Sequence, residues 1–326
     1  MASLLAMPVG NSPEKDRPRE RRRSFSIDPF HGFCVVSAVA CVGLLFWIVA
    51  NIAWEAWPAI RRLGFSLLAS SEWNPNGGKY GLLGYLLGTL LSSCLAMLLA
   101  FPLGVIIAIF LSENYLSPPL RQGFRFLVEL LASIPSVVYG LWGIAVVVPL
   151  VRTWGGDLSV HVGNSVPFLG GPAYAYCMLT ASLVLALMIL PTITAISRNA
   201  LEAVPANLRE TCYAIGFTRW ETIGRVLLPA AAPGIVASAV LALGRAMGET
   251  MAVAMLIGNS SRLSFSLLSP AGTLAGLLAN QFAEAEGMVV SVLMCAALLL
   301  MLMPLLVNMA GDWILKASQG GLKGLR

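Results

Sequence analysis

The sequence predicts an all-α polytopic membrane protein with about six transmembrane helices, and three observations predict it. The 326 residues are 57% hydrophobic and only 11% charged, against roughly 25% charged in a soluble domain; a water-soluble fold has no way to hide that much apolar surface. Runs able to span a bilayer, which takes about 20 apolar residues, recur near 33–53, 82–111, 126–151, 174–196, 234–257 and 288–313. An even number of spans puts both termini on one side, and the basic residues agree. With the N-terminus inside, inner segments carry Lys15, Arg17, Arg19, Arg21, Arg22, Arg23, Arg121, Arg125, Arg198, Arg209, Arg219, Arg225, Lys316, Lys323 and Arg326. Outer segments carry Arg61, Arg62, Lys79, Arg152 and Arg262, which is the positive-inside pattern. The net charge of +5 follows membrane sidedness and does not gather with aromatics on a patch, so nucleic acid is set aside.

Residues 1–32 form a tail rich in Pro, Arg and Ser with too little apolar content to fold alone. Its Arg17–Arg23 run reads as a cytoplasmic anchor, and residues 33–326 are the transmembrane domain. No small-residue cleavage site accompanies the first span, which is expected to persist in the mature protein. The second run is long and contains Pro102, so it is expected to tilt or kink as one span. Pro135 is expected to bend or interrupt the third span and Pro191 the fourth. At the inner end of the third, Arg125 and Glu129 stand at i,i+4 spacing and are expected to pair. Trp73-Asn74-Pro75-Asn76-Gly77-Gly78, Gly155-Gly156 and Gly170-Gly171-Pro172 read as turns outside the membrane. The six cysteines show no CxxC pattern and read as small packing residues.

One inner connection, 197–229, has its own local code. Pro205 suits a first helical turn, Leu208, Cys212 and Ile215 give an apolar stripe, and Gly216 marks a stop. Thr218-Arg219-Trp220-Glu221 matches a capping box that starts a second helix toward Pro229. The expected result is a helix, a sharp turn and a second helix facing a cytoplasmic partner or the membrane surface.

The fifth span contains the one basic residue inside a span, Arg245, near its expected midpoint, with Glu249 four residues on along the same expected face. Inserting a charge at that depth costs at least about 2.5–3.5 kcal/mol, so it faces protein or a watery path. One reading is structural: the two charges satisfy each other, while Gly244 and Gly248 let a neighbouring helix approach. The other is a planar cationic fork for an anion, with Glu249 orienting Arg245 and competing so that the anion is released.

Glu210, six residues before Gly216, and the run Val226-Leu227-Leu228-Pro229 resemble the EAA signature of importer-type ABC permeases. Thr211 and Cys212 replace its two alanines and Val226 its isoleucine. Ser133-Ile134-Pro135-Ser136-Val137-Val138-Tyr139-Gly140-Leu141-Trp142-Gly143, Gly244-Arg245-Ala246-Met247-Gly248-Glu249-Thr250-Met251-Ala252-Val253 and Trp73-Asn74-Pro75 ahead of Tyr80-Gly81 sharpen this. From about residue 65 onward they are similar to permease subunits of phosphate ABC importers. The resemblance implies a type I ABC importer permease architecture in a bacterial inner membrane, with both termini cytoplasmic. It implies four kinds of partner: a homologous permease, two ATPase copies, an extracytoplasmic phosphate-binding protein and phosphate itself. It assigns Glu210, Ala214 and Gly216 to ATPase coupling and Arg245 and Glu249 to the substrate pathway. The sequence contains no GxxxxGK[ST] phosphate loop, so ATP is expected on another chain. His31 and His161 fall on opposite sides without a supporting nucleophile or carboxylate, and neither catalysis, a metal nor a cofactor is expected. Two alternatives stand beside this reading: a permease for molybdate or sulfate, and an ion-coupled secondary carrier, which the absence of a recognisable inverted repeat disfavours.

Overall fold

The computed structural model describes residues 29–323 apart from 114, 163–167, 169, 171, 173, 263 and 265. The expected tail up to residue 28 lies outside them, as does Gly171 of one expected turn. The elements are α1 (Pro29–Leu63), α2 (Ser66–Ala69), β1 (Trp73–Asn74), β2 (Lys79–Tyr80), α3 (Leu83–Ser112), α4 (Pro118–Ser133), α5 (Ser136–Trp142) and α6 (Val148–Val162). Then come α7 (Met178–Glu202), α8 (Ala206–Ala214), α9 (Arg219–Thr222), α10 (Leu228–Met247), α11 (Met251–Leu256), α12 (Leu274–Gln281) and α13 (Met288–Lys323). Among the described residues, six stretches are long and apolar enough to cross a membrane: Phe30–Leu63, Leu83–Ser112, Ser136–Gly156, Met178–Glu202, Arg219–Met247 and Met288–Trp313. The six-span expectation holds, and three of the six spans move by ten residues or more at one or both ends: the first reaches Leu63, the third starts at Ser136 and the fifth runs from Arg219 to Met247.

The third span starts at Ser136. Residues 126–133, expected inside it, belong to the separate amphipathic helix α4, because Ile134 is extended and the chain turns at Pro135. A residue before proline avoids the helical region, so this break follows from the sequence. The fifth crossing runs as one helical rod from Arg219 to Met247, stops at Gly248–Thr250 and resumes as α11. Pro191 does not interrupt α7, which is continuous through it. The expected turn at Gly155-Gly156 is helical, inside α6. The Trp73–Gly78 turn is a two-stranded antiparallel hairpin, with Trp73 opposite Tyr80 and Gly78 at φ 69°, a small addition to the otherwise all-α fold.

Two compact units separate at residue 48. In the first, the described part is the start of α1, whose large apolar side chains, such as Phe33, Leu45 and Phe46, are exposed as lipid contact requires. In the second, α7 is central, with Val184, Leu185, Ile189, Ile193 and Leu201 all buried. Its neighbours approach at small residues, as helices do where no water drives them together. A Cβ at Gly104 of α3 would lie 2.7 Å from Ile193, and one at Gly234 of α10 would lie 2.4 Å from Ala200. The Thr194 hydroxyl donates to the Gly104 carbonyl at 3.3 Å, and Ser197 and Ser238 share a 2.9 Å hydrogen bond. These three buried hydroxyls thus find partners inside the bundle. Of the cysteines, Cys177 and Cys212 are buried packing residues, whereas Cys34, Cys41 and Cys94 are exposed on apolar surface.

Candidate functional site

Two broken helices meet beside the central α7. A Cβ on Gly140 of α5 would press on Met255 and Ala252 of α11, and one on Gly143 would press on Leu256. The contacts advance together along both chains, so α5 and α11 run in the same direction with Ser136 and Met251 at the same level. Helix N-termini carry partial positive charge, and broken helices in transporters direct such ends at anionic groups. The break before α5 is held by Tyr139, whose buried phenol donates to the Leu131 carbonyl of α4 at 2.8 Å. The two sequence blocks that carry the family resemblance are therefore one site in space.

Arg245 lies in the last turn of α10, where a cation suits the helix C-terminus, six residues before α11 begins. It is exposed, and its guanidinium donates to the Thr192 hydroxyl of α7 at 3.2 Å. The expected shared face with Glu249 is not there. The helix ends at Met247, so Glu249 sits in the non-helical turn after Gly248, and among the described residues no ion pair joins the two. Four residues make neighbours only while the helix continues, and here it stops. The expected glycine pair is half realised: Gly244 faces Asn308 of α13, whereas Gly248 meets only carbonyls of its own turn.

At the far end of α10 the α8–α9 corner follows the local code closely. Phe217 N–H donates to the Cys212 carbonyl at 2.9 Å and Gly216 N–H to the Tyr213 carbonyl at 3.1 Å, a Schellman closure with Gly216 at φ 89°. The Thr218 side chain accepts from Glu221 N–H while the Glu221 carboxylate accepts from Thr218 N–H, completing the capping box. Glu210, Ala214 and Gly216 are exposed on this corner. Of the expected apolar stripe only Cys212 is buried; Leu208 and Ile215 are 42% and 67% exposed, and Tyr213 and Trp220 are exposed too. The stripe therefore does not dock α8 onto this chain. Instead Arg209 fixes α8, bonding Glu113 at 3.3 Å and the Leu201 carbonyl at 2.9 Å, while Trp220 and Arg219 pack against Tyr115. The expected Arg125–Glu129 pair is likewise replaced: Arg125 pairs with Glu202 at the end of α7.

Corner and site share one rod, Arg219–Met247, which contains a π-helical turn at Ile223–Leu227. A second such turn, Gly143–Val147, joins α5 to α6. In each, the next residue bonds five positions back, Leu228 N–H to Ile223 and Val148 N–H to Gly143, and a proline follows, Pro229 or Pro149. Proline has no N–H and crowds the carbonyl four residues earlier, and a widened turn accommodates it. Sequence reasoning missed both turns, because an apolar residue before a mid-helix proline also stands at Phe101-Pro102, Leu190-Pro191 and Met303-Pro304, where the helix stays α. It also missed Thr192, Tyr139, Arg209 and Tyr115, which are set by contacts far apart in sequence.

The family model described as binding-protein-dependent transport system inner membrane component matches residues 100–322. The phosphate transport system permease protein PstC of Mesorhizobium japonicum is 42% identical over 272 residues, 82% of this chain and 83% of its own. The PstC of Pasteurella multocida is 41% identical, over 79% of this chain and 82% of its own. The probable PstC of Methanocaldococcus jannaschii is 34% identical over 89% and 94%. Among solved structures, the inward-facing MetNI methionine ABC transporter matches with TM-score 0.55 at 23% identity, covering 76% of this chain and 99% of its own. A bacterial alginate ABC transporter matches with TM-score 0.58 at 16% identity, over 86% and 92%. These two likenesses concern the fold alone.

Proposed function

Because this chain belongs to the family of binding-protein-dependent transport system inner membrane components, we propose that it is the channel-forming subunit of an ATP-driven inorganic phosphate importer. Its partners are a homologous PstA-like permease, two PstB-like ATPase subunits and an extracytoplasmic PstS-like phosphate-binding protein. The observation that carries the substrate is Arg245, an exposed guanidinium whose hydrogen-bond partner, the Thr192 hydroxyl, is neutral. A tetrahedral oxyanion needs donors in water's place, and a guanidinium supplies them. The Thr192 hydroxyl keeps the fork in place when no anion is bound. ATP is bound and hydrolysed on the partner subunits, and this chain acts through the α8–α9 corner, where Glu210, Ala214 and Gly216 face the ATPase. The rod Arg219–Met247 then carries movement of the corner to Arg245.

The complete complex, reconstituted with its binding protein and ATP, should take up phosphate in preference to sulfate and molybdate. Preferential uptake of either competitor would assign the site to that oxyanion instead. Uptake by this chain alone, without an ATPase, would make it a secondary carrier. The corner and both termini are placed in the cytoplasm on the distribution of Lys and Arg. Asn207→Cys in a cysteine-free background should therefore resist a membrane-impermeant thiol reagent applied to intact cells, and labelling from outside would reverse the topology.

A further inference from the structure

We infer that Thr192 of α7 is itself a ligand of the transported anion, donating its hydroxyl proton to an oxygen of the oxyanion that Arg245 holds; the inference rests on the phosphate reading above. The first sign is an unspent proton. A hydroxyl has one proton to donate and two lone pairs to accept with. That of Thr192 accepts from the Arg245 guanidinium at 3.2 Å, and among the described residues no acceptor receives its proton. A threonine inside a helix ordinarily gives its proton to a carbonyl one turn back. Thr89, Thr153, Thr211 and Thr222 do so, while Thr180 donates to the Ala175 carbonyl and Thr194 to that of Gly104 on α3. Among the threonines of the described helices, Thr192 is the exception, and it is the one beside Arg245.

The second sign is depth. Thr192 lies 14 residues after the start of α7 and 10 before its end, hence about 21 and 15 Å from the two ends at 1.5 Å per residue. A donor left unmade so far from bulk water costs free energy. Its neighbours Ile189 and Ile193 are buried in the core, whereas Thr192 is half-buried and the guanidinium bonded to it is exposed. An anion that reaches the guanidinium therefore meets the hydroxyl as well.

The third sign is that the two groups suit one ligand. The guanidinium brings a permanent charge and a planar fork, and the hydroxyl adds a neutral donor 3.2 Å away. A tetrahedral oxyanion has oxygens enough to accept from both at once. The hydroxyl need not let go of Arg245 to do so, because its lone pair keeps accepting from the guanidinium while its proton turns to the anion. This differs in sign from a hydroxyl that only holds Arg245 in the empty pathway. Such a hydroxyl competes with the anion, and its removal would leave uptake unchanged or faster; removal of a ligand slows uptake.

The measurement uses proteoliposomes of the complete complex, with ATP inside and binding protein carrying labelled phosphate outside; initial uptake and ATP hydrolysis are both read per assembled complex. When the pathway holds the anion less well, more cycles run empty while hydrolysis goes on. Thr192→Val keeps the branched shape without the hydroxyl and should lower uptake per ATP by about tenfold, the loss of one hydrogen bond to a charged group. Thr192→Ser restores the hydroxyl without the methyl group and should recover most of that loss. Thr192→Ala also lacks the hydroxyl, so the test stands even where the valine variant fails to assemble. In the Arg245→Gln background Thr192→Val should lower uptake per ATP further, because the hydroxyl binds the anion itself. Uptake per ATP at or above the wild-type value in the assembled valine or alanine variant overturns the ligand role and leaves the hydroxyl only holding Arg245. A serine variant as slow as the valine one overturns it by assigning the effect to packing, as does a Thr192→Val change that is silent in the Arg245→Gln background. A wild-type complex that hydrolyses ATP but takes up no phosphate removes the phosphate reading itself, and the ligand role with it.

Discussion

Arg245→Gln should insert and assemble, yet take up phosphate roughly ten- to a hundredfold more slowly per assembled complex. That range corresponds to losing a charge-assisted hydrogen bond worth about 1.5–3 kcal/mol. The size of the effect follows from place: the guanidinium lies in the last turn of α10, and among the described residues its hydrogen-bond partner is a neutral hydroxyl, Thr192. Folding therefore does not rest on an ion pair at Arg245, which separates the functional role from the structural one. Glutamine keeps most of the length and a donor for Thr192 but loses the charge. Glu249→Gln should also retain assembly with impaired uptake, through the conformation of the Gly248–Thr250 turn and the local field, since the carboxylate is off the face of Arg245. Near-normal uptake by Arg245→Gln would end the pathway role; loss of assembly would make the residue structural.

Gly216→Val should remain in the membrane in quantity while phosphate-stimulated ATP hydrolysis and uptake both collapse. At φ 89° an L-residue pays roughly 1–2 kcal/mol, and a β-branched one more. Space is not the cause, because nothing lies within 4 Å of where the Cβ would be. The strain is relieved by opening the Schellman closure, which frees α8 from its angle to α9 while the capping box and the Arg209 contacts hold the flanking helices. Asparagine tolerates the left-handed region, so Gly216→Asn should keep most of the coupling. Equal coupling in the valine and asparagine variants would remove backbone conformation from the argument, and a fall in total protein would shift it to folding.

The corner was legible in sequence because its determinants are local. Thr218 and Glu221 cap each other across three residues, and Gly216 closes a helix with hydrogen bonds to Cys212 and Tyr213. The break at Ile134–Pro135 was legible for the same reason: a proline restricts its immediate predecessor. The six spans were legible because hydropathy needs only length and composition. The break after Met247 was not, since the hydropathy of 234–257 is blind to the hydrogen-bond register in which Gly248 N–H reaches back to Gly244 and Glu249 N–H only to Ala246. Both π-helical turns escaped on the same ground.

By itself, then, the sequence determined the number of spans, the capped corner and the family. Tertiary structure decided what the charged side chains touch. Arg125 had a candidate partner four residues away, and it pairs with one 77 residues away because α4 turns its polar face onto α7. Arg245 had Glu249 in the same way and takes Thr192 instead, because α10 ends two residues later while α7 passes alongside. Helical periodicity fixes which residues share a face; which of those faces meet depends on where small residues let helices approach, a property of the packed bundle rather than of any one segment.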